Sequence, residues 1–95
     1  MWIEKLLQRG IADGRKETQR LILGPYLTKR KSKEESIELL TNWLNKCDSI
    51  RNLDKSFNSK QRINLALKND KGFLKLERLK IKYPWLYNVI ITYIH

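Results

Sequence analysis

A helix-start signal at residues 32–35 constrains the fold more than any other stretch of this 95-residue chain. Ser32 and Glu35 have the spacing of a capping box, in which the serine side chain caps the first turn and the glutamate reaches back. Apolar residues then follow at spacings of three, four and three, which place them on one helical face: Ile37, Leu40, Leu44 and Cys47. The pattern predicts a core helix over 33–47, acidic outside and apolar inside, with Trp43 buried.

Shorter helices are predicted on both sides of this element, over residues 2–9, 14–29, 60–70 and 76–82 and from Pro84 onward. Gly10 should end the first helix. Pro25 lacks a backbone N–H, so a kink or break is expected near 23–25. Residues 48–58 are polar and are predicted to form a loop.

The fold class is therefore all-α, a compact bundle of five to six short helices in a single domain over residues 1–95. The chain opens directly in a helix, which suggests a domain excised from a larger protein.

Positive charge is abundant and unevenly distributed. Twenty Lys and Arg residues against ten Asp and Glu residues give a net charge of +10. Counted along the sequence, residues 1–32 carry +5, residues 33–49 carry −2 and residues 50–82 carry +7. Such an excess on a small domain is typical of a polyanion binder, most often a nucleic acid and less often an anionic membrane surface.

The stretch from Ile11 to Leu27 carries the sharpest functional pattern. Asp13 is a candidate helix cap and Gly14 allows a tight entry into the helix. Arg15 and Lys16 then lie in the first turn, where the helix dipole disfavours cations by about 0.3–1 kcal/mol each. A bound phosphate would explain them, with Arg20 on the same face as Lys16. The alternative is that both cations are solvated and that Asp13 balances one of them.

Three further cations, Lys29, Arg30 and Lys31, end the second predicted helix. Cations are favourable at a helix C-terminus, where they complement the negative end of the dipole. These residues are therefore either dipole complements or contacts to a DNA strand.

Catalytic and metal-binding chemistry has little support in the sequence. Cys47 is the only cysteine, which excludes an intrachain disulfide and fits a reducing, cytoplasmic location. The only histidine is His95, and no Asp-x-Asp pair or glycine-rich phosphate loop is present. We expect no metal, no activity of the chain's own, no signal peptide and no membrane-spanning segment, since the run at 89–91 is far too short.

Several short motifs resemble the PriX-like family, the helical noncatalytic domain of archaeal primases. The helix-bundle domains of archaeal plasmid primase-polymerases are also similar. The resemblance covers residues 2–90, and its motifs are Asp13-Gly14-Arg15-Lys16, Pro25-Tyr26-Leu27, Ser32 with Glu34-Glu35, Trp43, Cys47, Arg62-Ile63, Ala66-Leu67-Lys68, Gly72-Phe73-Leu74 and Leu86-Tyr87.

This resemblance implies a role at the start of primer synthesis. A catalytic primase domain or subunit forms the phosphodiester bonds, while the helical domain helps to bind the single-stranded template and the initiating nucleotide, ATP or another NTP. By the same resemblance, Arg15, Lys16 and Tyr26 are expected at the initiation site, with Tyr26 stacking on a base. Arg62 and Lys68 are expected to add polar contacts to DNA.

Two other functions remain open. The apolar face from Trp85 to Ile94 suggests an adaptor that docks on catalytic primase or other replication subunits. A helix-turn-helix reader of duplex DNA is the second alternative. The most regular predicted helix, 33–47, argues against such a reader, because an acidic helix is unsuited to the major groove.

Overall fold

A computed structural model of the chain describes residues 2–51, 60–68 and 72–94, and the account below is confined to them. Their α-helices are α1 (Trp2–Arg9), α2 (Arg15–Thr18), α3 (Gly24–Arg30), α4 (Lys33–Ile50), α5 (Lys60–Leu67), α6 (Leu76–Lys82) and α7 (Pro84–Ile94). A π-helical turn, Gln19–Leu23, joins α2 to α3 without a gap. The described residues thus form six continuous helical stretches and no strand, which confirms the predicted all-α bundle.

Helix α4 begins after the predicted Ser32 cap and packs against α1, α3 and α5. The Ser32 hydroxyl accepts a hydrogen bond from the Glu35 backbone N–H at 3.2 Å. Trp43 is fully buried, and its indole N–H donates to the Leu6 carbonyl of α1 at 2.9 Å. Because this bond satisfies the polar tip of the indole, the ring can serve as core. The helix runs to Ile50, so the predicted loop starts too early; residues 52–58 lie outside the described part.

The helix continues through Pro25, although the sequence predicts a kink or break there. Where a break is expected, the backbone widens into the π turn and continues into α3. Pro25 has no N–H to offer the carbonyl of Leu21, four residues earlier. That carbonyl instead accepts the N–H of Leu74 at 3.1 Å. The proline thereby frees an acceptor that ties the segment before α6 to the centre of the bundle.

Helix α5 crosses this region at very short range. A Cβ atom added to Gly24 would lie 2.3 Å from the carbonyl oxygen of Ala66, so only glycine permits the contact. The Thr28 hydroxyl lies 3.1 Å from the Leu67 carbonyl and helps to hold the end of α5. The predicted helix over 60–70 is confirmed as Lys60–Leu67; its predicted end at residue 70 lies outside the described residues.

The last helix, α7, begins at Pro84 as predicted and packs on α1 and α6. Its residues Leu86, Ile90 and Ile94 are buried in the core. The face proposed for docking is therefore largely used by the bundle itself. The large apolar side chains that remain exposed at this end are Trp85 and Ile81, with exposed fractions of 48% and 74%.

We predict that Gly24→Ala lowers the free energy of unfolding by about 1–3 kcal/mol, the usual effect of overpacking. Alanine alone would favour the helix by about 1 kcal/mol, so a net loss would show that the clash with Ala66 dominates. Gly72→Ala is the matched control, because its nearest neighbour is the Lys29 ammonium at 3.9 Å. Urea unfolding of both variants is the measurement, and an equal effect of the two would contradict the close crossing.

Candidate nucleic-acid interface

Arg15, the first residue of α2, turns into the protein and not toward solvent. Gly14 caps this helix in the left-handed conformation, at φ 80°, and the Arg15 side chain that follows is almost fully buried. Its guanidinium donates to the Asp48 carboxylate at 2.7 Å and to the Cys47 carbonyl at 2.8 Å. It also donates to the carbonyl of Arg51. Arg15 thus binds the C-terminal end of α4, where a cation is favourable.

These contacts correct two predictions from the sequence. The Arg15 guanidinium contacts the Asp48 carboxylate and two carbonyls inside the bundle, so it does not face an external phosphate. Asp13 does not cap the helix, because the N-cap residue is Gly14, which has no side chain to form a capping hydrogen bond. The Asp13 carboxylate instead accepts from Arg51 at 2.5 Å, in an exposed pair.

Tyr26 is also unavailable for the role that the sequence suggests. Its ring is only 6% exposed, and its hydroxyl donates to the Glu4 carboxylate at 2.6 Å. This hydrogen bond, together with burial, raises the pKa of Tyr26 above its ordinary value. The guanidinium carbon of Arg30 lies 4.1 Å from the centre of the Tyr26 ring. The Phe73 ring packs edge-on against the Tyr26 ring, with 5.6 Å between the ring centres. The expectation that Tyr26 stacks on a base is therefore corrected.

A small pocket beside α2 brings together cations that are far apart in the sequence. It has a volume of about 80 Å³ and is lined by Lys16, Gln19, Arg20, Arg62, Leu65 and Ala66. We call it the α2 pocket. Gln19 is almost completely buried, and its Oε1 atom has no hydrogen-bond partner. Lys16 and Arg20, which were predicted to share a helical face, thus lie beside a third cation, Arg62 of α5.

A larger cavity lies where α3, α4 and α5 meet. It has a volume of about 460 Å³ and is lined by Thr28, Lys31, Lys33, Ser36, Asn64, Leu67 and Lys68. We call it the lysine cavity. It joins Lys31 and Lys68, both predicted DNA contacts, to Lys33, which the sequence reasoning missed. The charge count along the sequence did not point to Lys33, because its segment is acidic as a whole. In the structure its side chain lies beside the basic end of α3.

The two pockets share helix α5, and both are basic. Arg62 and Ala66 of α5 line one of them, and Asn64 and Leu67 of α5 line the other. No carboxylate is among the described residues that line either pocket. We refer to their six cations together as the α5 basic surface: Lys16, Arg20, Lys31, Lys33, Arg62 and Lys68.

The two remaining predicted DNA contacts lie near this surface without lining its pockets. Arg30 stacks on Tyr26, and it also donates to the Tyr26 carbonyl at 3.3 Å. Lys29 is exposed and extends toward Gly72. The structure therefore brings Lys31 and Lys68 into one cavity, but it separates them from Arg62 by the body of α5.

Comparison with protein families shows what kind of protein carries this surface. The family model described as PriX, Primase X, matches residues 1–94. The chain belongs to the PriX family. No curated protein matches the chain. Membership confirms the resemblance seen in the motifs and indicates a primase-associated role for this PriX chain, with DNA and a catalytic primase as the partners that such a role involves. Within the described residues, no helix of this PriX chain has the length and apolar character needed to cross a bilayer.

We predict that substitutions of Arg15 and of its neighbour Lys16 in this PriX chain have unequal effects on stability. Arg15→Met should lower the free energy of unfolding by about 2–4 kcal/mol, since it removes the guanidinium that binds the Asp48 carboxylate and the carbonyls of Cys47 and Arg51. This is somewhat below the loss for a fully buried pair, because Asp48 is 28% exposed. Lys16→Met, at an exposed site, should change it by less than about 0.5 kcal/mol. Urea unfolding tests both, and equal losses would contradict the anchoring role of Arg15.

Proposed function

We propose that this chain is the noncatalytic helical component of a DNA primase and that its α5 basic surface binds the single-stranded template and the initiating nucleotide, ATP or another NTP. One observation carries the proposal. Cations from α2, from the end of α3, from the start of α4 and from α5 converge on two pockets that share one helix. Within a primase family, the polyanions for such a surface are nucleotides and DNA.

The α2 pocket suits the phosphates of the initiating nucleotide. Lys16, Arg20 and Arg62 line a space of about 80 Å³, which is too small for a nucleoside but accessible to a phosphate group. Arginine and lysine are the side chains that bind phosphate through charge-assisted hydrogen bonds. Asp13 and Arg15 hold the helix that contributes Lys16 to this pocket, because their ion pairs join the start of α2 to the end of α4.

The lysine cavity and the cations around it suit the template strand. Lys31, Lys33 and Lys68 line the cavity, and Lys29 and Arg30 precede it at the end of α3. Phosphate contacts of this kind position a strand and are independent of its sequence. The surface therefore fits a template-binding component, which must accept any sequence.

Catalysis is assigned to a separate primase domain or subunit. Phosphoryl transfer requires carboxylates that hold Mg²⁺ beside the nucleotide phosphates. The described residues that line the two pockets include no carboxylate. The chain would thus bring strand and nucleotide to the catalytic partner without forming the bond itself.

We predict a steep salt dependence for the binding of single-stranded DNA. Each neutralised phosphate contributes about −0.7 to the slope of log K against log salt concentration. Lys16→Gln, Arg62→Gln and Lys68→Gln should each weaken binding and make this slope shallower by about 0.7. Lys5→Gln is the matched control, since Lys5 is exposed on α1 and lines neither pocket. Fluorescence anisotropy over a range of salt concentrations is the measurement; a flat slope, or an equal effect of Lys5, would contradict the proposal.

A specific observation also favours the adaptor function. Ile81 and Trp85 are exposed on successive helices, although apolar side chains of this size usually help to form a core. They stand at the end of the molecule formed by α6 and α7. This pair, and not the buried residues of α7, is the candidate docking contact for a catalytic primase subunit.

We predict that Ile81→Lys and Trp85→Lys abolish the complex with the catalytic primase subunits while the thermal unfolding of the isolated chain stays within a few degrees of wild type. Ile94→Lys is the contrasting variant, because Ile94 is buried and its change should unfold the chain. Co-purification and circular dichroism are the two measurements. A complex that survives both exposed substitutions would refute docking through this pair.

A further inference from the structure

The start of α2 lies against a partly exposed aromatic ring of α7. We propose that Trp85 is a positioning residue for the α2 pocket: it holds Gly14, the residue from which α2 begins, and through Gly14 it sets the place of Lys16. This inference rests on the proposed function, since it takes phosphate as the ligand of the pocket. It adds a link between the exposed pair Ile81 and Trp85 and a pocket that neither of them lines.

The first argument is the contact between α7 and Gly14. A Cβ atom added to Gly14 would lie 2.5 Å from Leu86 Cδ1 and 3.1 Å from Trp85 Cζ3, so these two side chains occupy the space beside the glycine. Gly14 also has a φ of 80°, which glycine adopts readily and other residues rarely do. The Trp85 side chain is 48% exposed, so part of its surface covers Gly14 while another part faces solvent.

The second argument is that the start of α2 depends on such contacts. The helix has only four residues, and a helix this short is unstable without tertiary contacts. The Thr18 N–H donates to the Gly14 carbonyl at 2.9 Å, so a shift of Gly14 moves the first turn directly. Arg15 fixes this turn from the side of α4. Trp85 and Leu86 fix it from the side of α7.

The third argument is the construction of the α2 pocket from two walls. Lys16 stands on α2 and Arg62 stands on α5. The contact of Gly24 with Ala66 fixes the α5 wall, and the seat of Gly14 on α7 fixes the α2 wall. A phosphate held by cations from both walls is sensitive to the distance between them. At about 80 Å³, the pocket leaves little room for a change in that distance.

The same contact joins docking to phosphate binding. A catalytic subunit that covers the exposed part of Trp85 would bear on the ring whose other part lies against Gly14. If docking changes the affinity of the α2 pocket, phosphate in the pocket must change the affinity for the subunit by the same factor. One glycine would then connect the two surfaces.

The first experiment uses the wild-type chain and inorganic triphosphate, which carries no base and so cannot stack on an exposed ring. In an NMR titration, the indole N–H signal of Trp85 should shift together with the backbone amides of Lys16 and Arg20. Trp43 is the internal control, because its indole N–H is buried and donates to the Leu6 carbonyl. The Trp43 signal should not shift.

The second experiment compares three substitutions that leave the charge unchanged, with affinity measured at the Arg20 amide. Trp85→Ala removes the ring from Gly14 and should weaken triphosphate binding about fivefold or more, the lower end of the coupling that is usual between two sites. Trp85→Phe keeps a ring over Gly14 and should restore most of the affinity. Ile81→Ala is the matched control and should have no effect, since Ile81 is 74% exposed and belongs to α6.

Equal affinity of Trp85→Ala and the wild-type chain, or a Trp85 indole signal that does not move while Lys16 shifts, would overturn the positioning role and leave the phosphate site intact. Equal weakening by Trp85→Phe and Trp85→Ala would also overturn it, because affinity would then depend on the indole itself. If triphosphate shifted neither Lys16 nor Arg20, the phosphate site of the proposed function would fail, and the positioning role with it.

Discussion

The close contact between Gly24 and Ala66 is the constraint on which the rest of the molecule depends. Helix α5 can lie against the π turn and α3 only because residue 24 has no side chain, since a Cβ atom there would come 2.3 Å from the Ala66 carbonyl oxygen. Both pockets flank this crossing, so the same contact decides where Arg62 and Lys68 stand relative to the cations of α2, α3 and α4. A packing requirement of the backbone thus sets the electrostatics of the surface.

Helix ends explain why two neighbouring cations, Arg15 and Lys16, have different surroundings. Arg15 meets the C-terminal carbonyls of α4 and the Asp48 carboxylate, so its charge is used inside the bundle. Lys16, one residue later, is exposed and lines a basic pocket. The helix dipole disfavours a cation in a first turn, and the contacts of Arg15 with α4 offset that cost. Neighbouring residues therefore differ in function because one side chain reaches another helix and the next does not.

Local signals in the sequence were sufficient for the elements but not for the roles of single residues. The Ser32 cap, the stop at Gly10 and the start at Pro84 each depend on neighbours within one turn, and each was predicted correctly. Arg15 and Tyr26 were misread because their partners, Asp48 and Glu4, are distant in the sequence and become neighbours only when the helices pack. Lys33 was missed for the same reason, since its cationic neighbours belong to other segments.

Bringing six cations together around one helix is unfavourable for the isolated chain. Like charges at short range repel each other, and a charged surface of one sign destabilises the compact state. Stability therefore has to come from elsewhere: from the buried indole of Trp43, the anchored Arg15 and the tight crossing at Gly24. A ligand that binds only the folded state would add to its stability. The core and the basic surface are thus coupled, because the free energy of folding holds side chains of like charge on the same face of the molecule.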